Sequence, residues 1–334
     1  MTTRQISRLA ELARLAGVSI STVSRSLAGN PAIATATRER IEALALENGF
    51  QVNQAARNFR LGRTRAIGVV LPLGHETGQH LSDPFFMSLL GPLADALTER
   101  GHDLLLSRVI PTDGTWLDAI VNSGRVDGVV VIGQSDQIDV IERTAQRYGP
   151  IVIWGAAIEG MRQLTVGSDN FAGGRMAARH LLAQGRTRLA FFGNPEMPEI
   201  AARFAGCEAA IREAGAQACT LLPVHLTTEA SYATIAEFLT GHSSPNGIVA
   251  ASDVIAMSAL RALAEQGLRV PHDVAVVGYD DVNKAMHTTP PLTTIRQDVE
   301  RGAVTLVDLL LRRIAGEEAQ SVSMVPKLVL RASA

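Results

Sequence analysis

Residues 19–25 set Ser19, Ile20, Ser21, Thr22, Ser24 and Arg25 along two turns of a helix-forming segment. An arginine can fork onto guanine O6 and N7, hydroxyls bond to phosphates or base edges, and an isoleucine can meet a thymine methyl. The chemistry open to such a face is reading of a DNA major groove. The plainer alternative is that Ser21, Thr22 and Ser24 form the solvent side of a small helical domain.

A second set stands at the ends of apolar runs. Asp253 follows GIVAAS, Asp280 and Asp281 follow VAVVGY, Trp154 ends PIVIWG, and Asp83, Pro84, Phe85 and Phe86 come after AIGVVLPL. Aromatic faces stack on the apolar face of a pyranose, while carboxylates pair with hydroxyls, so this mixture suits a neutral sugar. For Asp253 a helix cap is an equally good reading. Enzyme chemistry finds little support: GxxxxGK[ST], GxGxxG and GxSxG are all lacking, and the eight histidines are scattered without a paired nucleophile or base. His75, Glu76 and His80 raise the question of a metal, but the HExxxH spacing is one residue longer than the helical zinc motif and Gly78 disfavours a helix there. Cys207 and Cys219 match no metal spacing and read as packing residues. No enzyme activity, cofactor or metal is expected.

Two helices and a tight turn must position the first set. Leu9, Leu12, Ala13 and Ala16 recur at helical spacing, Gly17 breaks the run, and Ser19 is placed to cap a second helix that turns Val23 and Leu27 inward. Small Ala13 suits a helix crossing, Gly17 supplies a positive φ, and Val18 and Val23 fill the space beneath the turn. A third helix over about 36–48 buries Ile41, Leu44 and Ala45 and ends at Gly49, where a left-handed cap is expected. Residues 1–65 carry ten arginines, no lysine and four glutamates, a formal +6 in a chain whose total is −2. A basic DNA-binding head on an acidic body has that asymmetry, although a solvated basic face would share it.

The second set needs a larger scaffold. From Ala66 onward short apolar runs alternate with amphipathic helical stretches: AIGVVLPL, DLLLSRV, DGVVVIG, PIVIWG, RLAFFG, TLLPVHL, GIVAAS and VAVVGYD. Such alternation predicts βαβ units with parallel sheets buried on both faces. The eight runs divide into two groups of four around residues 166–168, which predicts two lobes whose strand ends face a common cleft. With 334 residues, 46% of them hydrophobic, the chain has room for two or three domains. It shows neither a secretory signal nor an apolar run of the ~20 residues that span a bilayer, and a cytoplasmic location is expected.

The head and junction resemble the lactose/galactose repressor family of bacterial transcription regulators. The resemblance runs through AGVSISTVSR, TRERI, NQAAR and GRTRAIGVV, and continues in DPFF, SDNFAGGRMAARHLLAQGR, RFAGCEAAIREAG, ASDVIAMSALRALAEQGLRVPHDVAVVGYDDV and PPLTTIRQD. It implies a small all-α helix-turn-helix head over 1–52 and a hinge over 53–62 that becomes helical on operator DNA. It also implies an α/β two-lobed, periplasmic-binding-protein-like body over 63–334, with an N-lobe of about 63–165 and 294–323 and a C-lobe of about 166–293 and 324–334. DNA contacts are expected at Ser19, Ile20, Ser21, Thr22, Ser24, Arg25 and Asn30, and in the hinge at Asn53, Ala56, Arg57 and Phe59. Effector contacts are carried over to Phe85, Phe86, Arg203, Ser252 and Asp280; Trp154 joins them on its own chemistry.

Several residues depart from the family pattern. Phe59 stands where the family has a leucine wedge, Val52 where it has proline, and Arg8 and Ala34 where it prefers capping hydroxyls, a task that then falls to Ser7 and Thr35. Trp154 and Gly155 replace an acidic strand end, and GHETGQHLSD adds about seven residues at the mouth of the cleft, as a surface loop or a contact for a larger glycoside. The resemblance implies a homodimer on a pseudo-palindromic operator, controlled by a small molecule, with a sugar favoured over a purine-type corepressor. A periplasmic-type sugar-binding protein would share the body but not the head.

Overall fold

In the computed structural model of the chain, residues 8–50, 63–74, 78–134, 136–241 and 245–334 are described. They fall into two units, Met1–Thr64 and Arg65–Ala334. In the first, α1 (Leu9–Ala16), α2 (Ile20–Leu27) and α3 (Thr35–Glu47) bury Leu12, Ala13, Ala16, Val23, Ile41 and Ala45 in one small core. Gly17 takes φ +62° and lets the chain reverse between α1 and α2, a conformation that an L side chain resists. Ser19 Oγ accepts the Thr22 N–H at 3.1 Å, so the predicted cap forms. The other proposed cap does not: Ala34 is the N-cap of α3 with no side-chain bond, and Thr35 is already helical. Ser7 lies outside the described residues.

The second unit holds two six-stranded sheets. The first lobe begins with β1 (Ala66–Pro72), α4 (Pro84–Glu99), β2 (Asp103–Val109), α5 (Trp116–Val121), β3 (Gly128–Ile132), α6 (Ile138–Ala145), β4 (Ile151–Trp154) and β5 (Leu164–Ser168). The second runs through α7 (Asn170–Ala183), β6 (Leu189–Phe192), α8 (Pro198–Glu213), β7 (Thr220–Leu222), α9 (Thr228–Gly241), β8 (Gly247–Ala250), α10 (Asp253–Glu265), β9 (Ala275–Asp280) and β10 (Thr293–Arg296). The chain returns through α11 (Val299–Ile314) to β11 (Val322–Met324), then ends across the cleft in β12 (Lys327–Val329). Strand orders are β11-β5-β4-β3-β1-β2 and β12-β10-β9-β8-β6-β7. All pairs are parallel except β10 with β12.

Strand periodicity explains the layers of the N-lobe. Ile67, Val69 and Leu71 point to Leu89, Leu93, Leu306 and Leu310, whereas Val70, Val129 and Val131 point to Trp116, Leu117 and Ile141. The C-lobe packs around one core that includes Phe191, Phe192 and Cys207, with Cys219 against it. Lobe crossings fall later than the sequence reading places them. Residues 166–168 are the last turn-free stretch of β5, in register with β11, and residues 293–296 pair with β9. The first lobe therefore runs to Ser168, the second to Arg296, and Met324 belongs to the N-lobe sheet. Among the described residues no helix is long and apolar enough to cross a membrane.

Candidate functional site

Between the lobes, beyond the carboxyl ends of both sheets, lies a cleft of about 120 Å³ that opens to solvent, at the position where ligands of such folds bind. Phe85, Phe86, Trp154, Arg203, Ser252 and Asp280 all line it. Asp83 caps α4 at its Oδ1, which accepts the Phe85 N–H at 2.9 Å, and Pro84 opens the helix, so both phenylalanines sit on its first turn. The Phe85 ring centroid lies 6.1 Å from that of Phe86 and 6.2 Å from that of Trp154. A β-carbon at Gly302 of α11 would stand 2.2 Å from the Trp154 ring, so that glycine makes the slot in which the indole is seated. These three rings form an apolar wall.

The opposite wall is charged and pinned. Arg203 Nε donates to Asn170 Oδ1 at 2.8 Å, Nη1 donates to the Ala251 carbonyl at 2.5 Å, and the guanidinium lies 3.7 Å over the Tyr279 ring. Asn170 can reach Arg203 because α7 and α8 touch through glycines. A β-carbon at Gly174 would fall 1.8 Å from the Arg203 carbonyl oxygen, and one at Gly206 2.0 Å from that of Phe171. Asp280 Oδ1 stands 3.8 Å from Arg203 Nη1 and accepts Gln297 Nε2 at 2.7 Å. Burial pushes its carboxyl up to about 7, against the pull of Arg203 and Gln297 and with a further push from Asp83. Asp280 and Asp281 both take positive φ, 112° and 58°. That backbone sends one carboxylate into the cleft while the other takes Arg296 and Arg331, each at 2.6 Å.

Asp253 serves neither of the roles open to it from sequence. Ser252 is the cap of α10, its Oγ accepting the Ile255 N–H at 3.3 Å. The fully buried Asp253 carboxylate instead accepts the Val282 N–H at 2.9 Å and the Thr294 hydroxyl at 2.6 Å, tying α10 to the segments after β9. Three polar lining residues escaped the sequence reading: Gln79, Glu199 and Gln297. Gln79 comes from the inserted segment; its side chain donates to Asp83 Oδ2 at 2.9 Å and its carbonyl accepts from Arg108 at 3.1 Å. His75 and Glu76 lie outside the described residues, and among those described no group of three His, Cys, Asp or Glu could hold a metal ion.

On the head, Ile20, Ser21 and Arg25 are exposed and Thr22 and Ser24 half-buried. Ser19 Oγ stands 2.8 Å from both the Ser21 and Thr22 hydroxyls, gathering three hydroxyls at the N-terminus of α2, where backbone N–H groups favour phosphate. Asn30 Oδ1 accepts the Ala32 N–H at 2.9 Å and shapes the turn after α2. Asn53, Ala56, Arg57 and Phe59 lie outside the described residues.

Residues 8–53 match the family described as bacterial regulatory proteins, lacI family, and residues 178–334 match the periplasmic binding protein-like domain. Over 333 residues the chain is 32% identical to the HTH-type transcriptional regulator CelR of Thermobifida fusca, with 97% of each chain covered. The chain belongs to the LacI family. This LacI-family regulator is also 29% identical to the HTH-type transcriptional repressor PurR of Erwinia tasmaniensis, over 98% of its own length and 97% of the relative's. Among solved structures, a CelR–cellobiose complex matches at 30% identity and a TM-score of 0.71, covering 98% and 99% of the two chains. The Lac repressor bound to ONPG in its repressed state matches at 25% and 0.83, covering 99% and 100%. Helix-turn-helix head and two-lobed α/β body are thus those of this family, and the LacI-family chain is a DNA-binding transcription regulator.

Proposed function

We propose that this LacI-family regulator is a homodimeric repressor whose hold on a pseudo-palindromic operator is set by a sugar in the interlobe cleft. The observation that carries the effector class is the pairing of an aromatic wall, Phe85, Phe86 and Trp154, with the buried polar group Arg203, Asp280 and Gln297. A pyranose has matching sides, an apolar face for the rings and hydroxyls for the fork and carboxylate. That CelR has been captured with cellobiose, and an Enterococcus faecium relative of 27% identity with ribose, agrees with this reading.

In this reading residues 1–52 read DNA, 53–62 form the hinge and 63–334 sense effector and dimerise. Ser19, Ile20, Ser21, Thr22, Ser24, Arg25 and Asn30 meet the major groove and its phosphates, and Asn53, Ala56, Arg57 and Phe59 meet the minor groove, with Phe59 as the wedge. The protein works in the cytoplasm, without cofactor, metal or catalytic step. Ligand shifts the DNA-bound population by its preference for one lobe arrangement, which decides whether it induces or corepresses. Fluorescence anisotropy with a pool of pseudo-palindromic duplexes, repeated with neutral mono- and disaccharides, tests the proposal. Tight, salt-sensitive binding that one sugar alters is expected; sugar-insensitive DNA binding would remove the effector assignment. Phe59→Ala is expected to weaken operator binding and reduce DNA bending, and unchanged affinity and bend would refute the wedge.

A further inference from the structure

One carboxyl lining the cleft stands outside the Arg203–Asp280–Gln297 group. Glu199 is the second residue of α8, one helical turn before Arg203, so it belongs to the C-lobe; yet it ends against the N-lobe. A β-carbon at Gly155, the residue after β4, would stand 3.1 Å from Glu199 Oε1 and 2.6 Å from Gln134 Oε1. Gln134 is itself fully buried and fixed, donating to the Ala156 carbonyl at 3.0 Å and accepting the Ala156 N–H at 2.9 Å. The missing side chain at position 155 thus leaves room first for the Gln134 amide and, beside it, for the Glu199 carboxyl that approaches from across the cleft. Its Oε1 is shut from solvent, and although the backbone N–H groups of Glu199, Ala156 and Gln134 lie near the carboxyl, none makes a hydrogen bond of good geometry to that oxygen. Arg203 does not supply one, because its guanidinium is committed to Asn170, Ala251 and Asp280.

A carboxyl oxygen shut from water without a well-placed donor is costly unless something arrives to donate to it. The charge balance around it says what that can be. Asp83, Glu199 and Asp280 face Arg203, three carboxyls against one guanidinium among the described lining residues. Burial raises the pKa of all three acids, and the donors each already has offset it only in part. A ligand that brings a second negative charge meets repulsion at close range in a site partly shielded from water, whereas a ligand that brings hydroxyl donors relieves it.

We propose that Glu199, which reaches across the cleft to Gly155 and Gln134, is a specificity-determining residue that accepts a ligand hydroxyl and makes the cleft select uncharged sugars over their acidic or phosphorylated counterparts. This rests on the sugar reading given above and narrows it to a class.

The test is calorimetric titration of the intact protein at ~pH 8, above the ordinary carboxylate range. The probes are cellobiose and the two acids made by oxidising it at either end, cellobionate and cellobiouronate. The wild type is expected to bind cellobiose at least ~30-fold more tightly than either acid, and Glu199→Gln to narrow that ratio ~10-fold while weakening cellobiose itself. Gly155→Ala, which crowds the Gln134 amide and the Glu199 carboxyl beside it, is expected to narrow the ratio in the same direction by a smaller factor. A single cooperative thermal unfolding transition in each variant serves as the control for folding. An unaltered ratio in both variants, or tighter binding of an acid than of cellobiose by the wild type, overturns the proposal. Failure of cellobiose, both acids and the neutral sugar panel alike would instead overturn the sugar reading on which it stands.

Discussion

The two walls of the cleft are built by opposite means. On the N-lobe side Phe85, Phe86 and Trp154 are held by packing, through a helix start and the slot at Gly302. On the C-lobe side Arg203 and Asp280 are held by hydrogen bonds and by backbone that side chains rarely adopt. An apolar wall accepts any ring of suitable shape, whereas a pinned charged wall rejects whatever leaves its groups unpaired. Shape is read by one lobe and polarity by the other, so a ligand satisfies both only when it touches both.

The largest effect in breaking that contrast is expected from Arg203→Ala. It leaves Asp280 buried without its counter-charge and strips the partners from Asn170 Oδ1 and the Ala251 carbonyl. Loss of one member of a buried ion pair costs about 3–5 kcal/mol, readable as a fall in the urea midpoint together with loss of sugar binding. Gly302→Ala attacks the other wall. Its β-carbon must push the Trp154 ring, and overpacking of this kind costs about 1–3 kcal/mol. Here the Arg203 side should survive, so sugar affinity is expected to fall while discrimination between neutral and acidic ligands persists.

A titration probes the charged wall further through Asp280. The Asp280 carboxyl is raised from its ordinary value of 3.8 to about 7. The stability it contributes when protonated is therefore whole below the ordinary value and is lost as pH rises through 7. Asp280→Asn removes that loss, so the melting temperature of the variant should gain on wild type as pH climbs from ~4 to ~8. A constant difference would show that Asp280 does not titrate in this window. The smallest effect is expected from Ser252→Ala, which deletes the cap of α10 at about 1 kcal/mol and leaves the aromatic wall intact.

Where a proposed site lies on one short segment, the sequence discloses its structure. Residues 19–25 carry cap, core and exposed face within two turns, and α2 forms there with Ser19 bonded as expected. The six predicted cleft residues, drawn from positions 85 to 280, also converge, because strand ends on a parallel sheet share one side. What escaped lacked a pattern. Strands β5, β10, β11 and β12 are short and interrupted by Thr, Ser, Gly or Lys, so no apolar run betrays them. Gln79, Glu199 and Gln297 are polar residues whose neighbours come from distant parts of the chain. Asp253 looked like a cap because it opens a helix; only the fold shows that Gly278 makes room for its carboxylate, a β-carbon there standing 2.2 Å from Oδ1.

The three crossings between lobes also set an order of assembly. The N-lobe sheet lacks its edge until residues 322–324 arrive, and the C-lobe sheet until 327–329 do. Ser333 then locks the latter, accepting the Thr293 N–H at 2.8 Å and donating to the Val276 carbonyl at 2.6 Å. The head, with its own core, is complete by residue 50. On a ribosome adding ~5–20 residues per second, the DNA-reading helices emerge on the order of tens of seconds before either wall of the cleft can close. Each new molecule thus passes through a stage in which it can be born beside DNA yet deaf to its ligand.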